Sequence, residues 1–156
     1  MRNRFVFAML AILSVFMGLQ AADDPMLDSW KLNVGKSKLG SGAAIQAETN
    51  RVESYGGNGI KLTAEITKPD GSKVTESYAG TFDGKEFAVG GDANVDAAYL
   101  KRIDANTMER INKKAGKPTT TMHYVVSKDG KTKTVTITGT TAQGQPVDTV
   151  LVFEKQ

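Results

Sequence analysis

The sequence predicts an all-β fold: an antiparallel up-and-down meander closing into one small barrel of about 8–10 strands. Three observations carry this. Turn signals recur at short intervals, at Gly56-Gly57-Asn58-Gly59, Pro69-Asp70-Gly71, Asp83-Gly84, Gly90-Gly91-Asp92, Asp104-Ala105-Asn106, Ala115-Gly116-Lys117, Lys128-Asp129-Gly130 and Gln143-Gly144-Gln145. Asn-Gly and Asp-Gly pairs supply the positive φ angles that tight hairpins need. The runs between them are rich in Thr, Val, Ile and Tyr, side chains that suit a pleated surface. Within those runs apolar and polar residues alternate with period two, most clearly from Ile60 to Thr67 and from Thr132 to Thr138.

Taken in order, strands are expected near 29–34, 46–54, 60–68, 72–82, 85–89, 97–103, 107–114, 119–127, 132–140 and 147–154. The last ends in the fuller apolar run Thr149-Val150-Leu151-Val152-Phe153. Turn spacing of about 10–14 residues is hairpin length, too short for a propeller blade. No stretch after the first two dozen residues carries a helical period, and the Gly and Ser content from Lys36 to Ala44 favours loop. Strand follows tight turn follows strand with no long crossover, so the simplest closure is a barrel, which leaves no edge exposed.

The first segment reads differently. Arg2 and Arg4 precede an apolar run from Phe5 to Leu19, then the small Ala21 and Ala22, then Asp23 and Asp24. That order is the order of a secretory signal peptide. Its apolar run of about 15 residues is short for a membrane span, which needs about 20. Residues 1–22 are therefore expected to be a signal, 23–156 a single barrel domain, and the mature protein periplasmic or secreted, with no stable membrane span. The whole chain of 156 residues is formally +3; removing Arg2 and Arg4 leaves about +1. With Lys scattered along alternating strands, that balance gives no reason to expect a nucleic-acid partner. The absence of Cys excludes disulfides, thiol catalysis and most structural zinc sites.

Several segments have a familiar cast: Ser29-Trp30-Lys31-Leu32-Asn33, Lys36-Ser37-Lys38, Leu100-Lys101-Arg102-Ile103-Asp104-Ala105-Asn106-Thr107, Val126-Ser127-Lys128-Asp129-Gly130-Lys131-Thr132, Gly139-Thr140, Gln145-Pro146-Val147 and Glu154-Lys155. Across nearly the whole mature chain the sequence resembles a family of small exported bacterial proteins described as lipocalin-like. The resemblance implies a lipocalin-like β-barrel and assigns no activity. Lipocalins proper carry Gly-x-Trp in the first strand and a late Arg packed over that Trp. Here Trp30 stands in a comparable strand, position 28 is Asp, and the last strand offers Lys155. Fatty-acid-binding barrels place a helical lid after the first strand and grip a carboxylate with Arg-x-Tyr. The interval Gly35 to Ile45 is too short and Gly-rich for that lid, and the Arg-x-Tyr motif is absent.

Chemical motifs are sparse. Asp92, Asn94 and Asp96 have the spacing that opens a calcium loop, but Ala97 stands where Gly makes the sharp turn and Ile103 where the bidentate acid belongs. Gly130-Lys131-Thr132 and Gly35-Lys36-Ser37 mimic the end of a phosphate loop, yet Val125 and Trp30 occupy the earlier glycine positions and no helix follows. His123 is the single histidine, set on a face opposite Met122, Tyr124 and Val126, and there is no Gly-x-Ser-x-Gly elbow. A hydrolytic carboxylate pair needs two facing acids, and Glu76 has no partner that the sequence identifies. Neither catalysis nor a metal or other cofactor is expected.

The more informative anomaly is charge on faces that otherwise look buried. Glu76 shares a face with Val74, Tyr78 and Phe82, Arg102 with Ala98 and Leu100, and Arg110 with Met108. Charge inside a barrel must be paired, hydrated or bound to something, whereas a one-residue shift of strand parity would turn these groups to solvent. The candidate cavity lining is Trp30, Glu76, Tyr78, Phe82, Leu100, Arg102, Arg110 and Tyr124, with inward charges orienting the polar end of a ligand. The expected function is an exported barrel that binds a small, partly apolar molecule, hydrophobic or amphipathic. The alternative is a filled barrel acting through its surface as an interaction, inhibitor or envelope-associated module, with Gly56–Gly59 and Gly90–Asn94 as contact loops.

Overall fold

The structure, a computed structural model, describes residues 24–40 and 45–156; the expected signal segment over 1–22 lies outside the described residues. Ten strands follow one another along the chain: β1 (Asp28–Leu32), β2 (Ala47–Ser54), β3 (Gly59–Thr67), β4 (Lys73–Thr81), β5 (Phe87–Gly90), β6 (Ala97–Arg102), β7 (Thr107–Lys114), β8 (Lys117–Val126), β9 (Thr132–Thr140) and β10 (Pro146–Lys155). Each pairs antiparallel with its sequence neighbours, and β1 lies between β2 and β10, so the meander closes into a barrel. The expected fold class is the observed one, and the spans over 107–114 and 132–140 coincide with β7 and β9. The first strand stops earlier than expected, at Leu32. The Asn33 side chain accepts a hydrogen bond from the Lys36 amide at 3.1 Å and starts a 3-10 turn over Val34–Lys36. Among the described residues there is no α-helix, and no helix long and apolar enough to cross a membrane.

Period-two alternation sets what fills the interior. Ile60, Leu62 and Ala64 of β3, Met108 of β7, Tyr124 and Val126 of β8, Val135 of β9, and Leu151 and Phe153 of β10 are buried in one continuous cluster, while Lys61, Glu65, His123 and Val125 on the other parity are exposed. The two ends of the barrel differ. At one end the segment from Asp24 to Leu27 folds across the opening. Met26 is buried there, and its carbonyl accepts from the Trp30 indole N–H at 3.2 Å. At the other end lie the connections after β1, β3, β5, β7 and β9, and among the described residues this end is open.

One sector is thin. β5 meets β4 only where Ser77 faces Gly90 and Tyr78 faces Val89, and meets β6 only where Phe87 faces Ala98 and Ala88 faces Ala97. Its glycines matter for close approach. Gly91 has φ +87°, and a Cβ there would collide with the Thr75 carbonyl oxygen. Gly84, with φ +77°, has nothing within 4 Å of such an atom. Gly84→Ala should therefore cost about 1 kcal/mol of backbone strain, and Gly91→Ala on the order of 3 kcal/mol or more through strain plus collision. Urea unfolding of the two variants checks this, with the larger shift in midpoint expected for Gly91→Ala.

Candidate functional site

The open end leads into a cavity of about 260 Å³ that descends from the rim at Ile45, Asp92, Asn94, Thr119 and Thr141 to Leu62, Tyr124, Val135 and Phe153. Ten strands make a wider ring than the eight that side chains just fill, so some interior space is expected. The upper wall is largely apolar, with Ile66, Ile137 and Leu151 among its members. Two polar groupings interrupt it.

The first is built on β7. Inward parity places Met108, Arg110 and Asn112 in register on one face. Arg110 is 2% exposed and donates from Nη1 to Glu76 Oε1 at 2.6 Å and from Nε to Asn112 Oδ1 at 2.6 Å. Asn112 in turn donates to Thr120 Oγ1 at 3.0 Å. A β-bulge between Ile111 and Lys113 accommodates Pro118 in the facing strand, and the Thr119 hydroxyl donates to the Asn112 carbonyl at 3.3 Å. The Arg110 guanidinium also lies 4.5 Å from the centre of the Tyr78 ring, which stacks on Phe87 at 5.2 Å. Burial opposes the Arg110 charge, but Tyr124, Glu76 and Tyr78 outweigh it and hold the group protonated. Burial pushes the Tyr124 and Tyr78 phenols up, and the Tyr78 hydroxyl is buried with no hydrogen-bond partner among the described residues.

The second grouping lies across the barrel on β2 and β9. Lys133 is 1% exposed and donates to Asn50 Oδ1 at 2.8 Å, while Asn50 Nδ2 donates to Glu48 Oε1 at 3.1 Å. Glu48 and Asn50 line the cavity; Lys133 sits behind them, its ammonium 4.8 Å from the Trp30 ring centre and 5.1 Å from that of Phe153. The cation over the first-strand Trp therefore comes from β9. The last-strand Lys155 pairs instead with Asp28 at 2.8 Å. Burial pushes the Lys133 amine down to about 7, against the pull of Glu48, and pushes the Glu48 carboxyl up.

The candidate lining separates into three groups. Glu76, Arg110 and Tyr124 reach the cavity wall. Trp30, Tyr78 and Leu100 are buried beside or below it as packing. Phe82 and Arg102 are at the opposite, closed end, where Arg102 lies 4.2 Å over the Phe82 ring and pairs with Asp24. Parity is right for Arg102, but its position along β6 puts it at the wrong end. Glu48, Asn50, Asn112 and Lys133 are not among the residues singled out from the sequence, although the same rule finds all four, Glu48 sharing its parity with Asn50. Lys133 alternates with Val135 and Ile137, Asn112 with Arg110 and Met108, and Asn50 with Val52. At the rim, Asp92 Oδ1 accepts from the Asn94 amide and Asp96 Oδ2 from the Ala115 amide, so these carboxylates serve turns. No group of three or more His, Cys, Asp or Glu side chains converges among the described residues.

Two outcomes follow from the buried charges. Removing one partner strands the other, so Glu76→Ala should lower stability by roughly 3 kcal/mol, while the double variant Glu76→Leu with Arg110→Met should recover most of it; urea unfolding distinguishes them. The Lys133 amine titrates near 10.5 in the unfolded chain and near 7 in the fold. Between those values the unfolded chain binds the extra proton, so stability rises with pH from about 7 upward, and below 7 the full cost of the buried charge applies. Near pH 10 the protonated Tyr78 and Tyr124 begin to pull the other way. Relative to Lys133→Met, the native chain should gain on the order of 3 kcal/mol between neutral pH and roughly pH 9.5, measured as the difference between the two stability–pH curves.

No protein-family model matches the chain, and no curated protein sequence does. Among solved structures, the chain is similar to the fluorescent protein UnaG. A single-substitution mutant of UnaG superposes with a TM-score of 0.57 at 15% identity, covering 85% of this chain and 96% of that one. The wild type gives 0.54 at 16% identity, covering 84% and 97%. At this identity the likeness shows a shared barrel fold.

Proposed function

We propose that the protein is a binding barrel, which takes one small, partly apolar molecule through its open end and carries out no catalysis of its own. The observation that supports this most is the cavity of about 260 Å³ with the Arg110–Glu76–Asn112 cluster on its apolar wall. A barrel acting only by its outer surface has no use for that space, and it carries the cost of burying ions. The likeness to the UnaG barrels supports the frame of this reading.

The volume of about 260 Å³ lies just under the range of ligand pockets, about 300 to 1,000 Å³, so the occupant is a compact molecule rather than a long-chain lipid. Glu76 already balances the Arg110 charge, so the cluster suits a head group that exchanges hydrogen bonds without a full charge of its own: an amide, an alcohol or a neutral acid. The apolar body lies against Leu62, Ile66, Ile137 and Leu151. Export by the N-terminal segment belongs to the same proposal, and it would make the protein a periplasmic or secreted carrier or scavenger.

Native mass spectrometry on protein recovered from the extracytoplasmic fraction of its own host tests the reading. The expected result is a chain lacking about 22 residues that carries a mass excess lost on denaturation. Arg110→Met should weaken retention of that species roughly tenfold, as loss of a buried hydrogen-bonding group does. A bare mature chain, in native and variant alike, would contradict ligand binding; a full-length chain would contradict export.

A further inference from the structure

Among the described residues, Lys133 is the one buried amine in the barrel that no carboxylate holds directly. Its hydrogen bond goes to an amide oxygen, Asn50 Oδ1 at 2.8 Å. The remaining faces of the ammonium look onto Trp30 and Phe153. The other interior cation, Arg110, has its own carboxylate at 2.6 Å. Two of the groups around Lys133, Asn50 and Phe153, are themselves cavity wall. The amine therefore lies one side-chain layer behind the cavity floor, with the Asn50 side chain between them. Burial brings the amine to about 7, so near neutral pH much of it is the uncharged, nucleophilic form, whereas an ordinary Lys is almost wholly protonated. Desolvation in an apolar pocket is one of the ways in which amines are activated toward carbonyl compounds.

We propose that Lys133 captures a small, largely apolar aldehyde at the cavity floor as a reversible imine. The neutral Nζ attacks the carbonyl carbon to give a carbinolamine. The carbonyl oxygen then leaves as water with the two amine protons, and a C=N bond joins ligand to Nζ. No oxidant or reductant takes part. The proposal rests on the binding-barrel reading and adds to it a second ligand class, held at the cavity floor by Lys133 rather than at the Arg110 cluster. A merely structural Lys133, serving only as the cation over Trp30, would form no such bond.

Benzaldehyde is the probe, supplied at one equivalent near pH 7 with sodium cyanoborohydride to reduce any imine to a stable benzylamine. The expected result is one added benzyl group that peptide mapping places on Lys133, formed about tenfold or more faster than on the solvent-exposed lysines because of the larger neutral fraction. Lys133→Met should lose that fast label, and Asn50→Ala, which leaves Lys133 in place and removes the side chain in front of it, should keep it. Should Lys133→Met fail to fold, the map of the native chain still decides. Label spread over exposed lysines with Lys133 unmodified overturns the proposal. Calorimetry with benzaldehyde alone separates the two readings: reversible binding without capture at Lys133 overturns the imine and leaves the binding barrel standing, and neither binding nor capture overturns the imine, while the binding barrel stands or falls by the mass excess carried by the native chain.

Discussion

The Arg110–Glu76 ion pair spans the weakest part of the barrel. β5 is four residues long, and its ladders to β4 and β6 are brief. Glu76 projects inward from β4 and Arg110 from β7, so their bond crosses beneath β5 and β6 and ties together the strands on either side. Tyr78 under the guanidinium and Phe87 stacked on Tyr78 extend the tie to β5 itself. A closed barrel needs every neighbour pair, because one open seam exposes two edges at once. Interior charge here is part of how the ring is held shut, and its desolvation is offset by a hydrogen-bonded geometry that reaches Asn112 and Thr120.

The second seam, at β1, works by packing. β1 is five residues long, with Trp30 facing Lys155 of β10 on one side and Asn50 of β2 on the other. The fully buried Trp30 ring reaches down to the Met26 carbonyl and up to the Lys133 ammonium. With Arg102 holding Asp24 across Phe82, this seals one end of the barrel. Nothing equivalent fills the other end among the described residues, and the interior there keeps its space. The polarity of the barrel, one end packed and one open, follows from where the large side chains fall along the strands, and it decides the direction from which a ligand enters.

Most of the fold is legible in the sequence because hairpin chemistry is local. The turn pairs and the period-two runs are each contained within a dozen residues, and together they leave one simple topology. The site is legible only in part, because parity tells which face a side chain takes but not how far along the barrel axis it lies. Glu76 and Arg110 are found by parity and meet each other. Arg102 obeys the same rule but ends at the sealed end. Lys133 escapes notice because a lysine among threonines reads as a solvated strand face, although its alternation with Val135 and Ile137 marks it as inward. That Asn50 links it to Glu48 is a contact between β9 and β2, which are separated in the ring by β1 and β10, and no local pattern encodes such a meeting.

The central claim is that the open end admits a small molecule to the polar cluster inside. It is tested most directly by amide and arginine side-chain NMR during titration with a panel of small aromatic amides, acids and alcohols. The account predicts, for at least one member, saturable shifts at Arg110 Nε–H and in rim residues such as Asn94, Thr119 and Thr141, with the turns over 55–58 and 103–106 at the sealed end unchanged. Saturable shifts confined to the sealed end, or none anywhere across the panel, would contradict it.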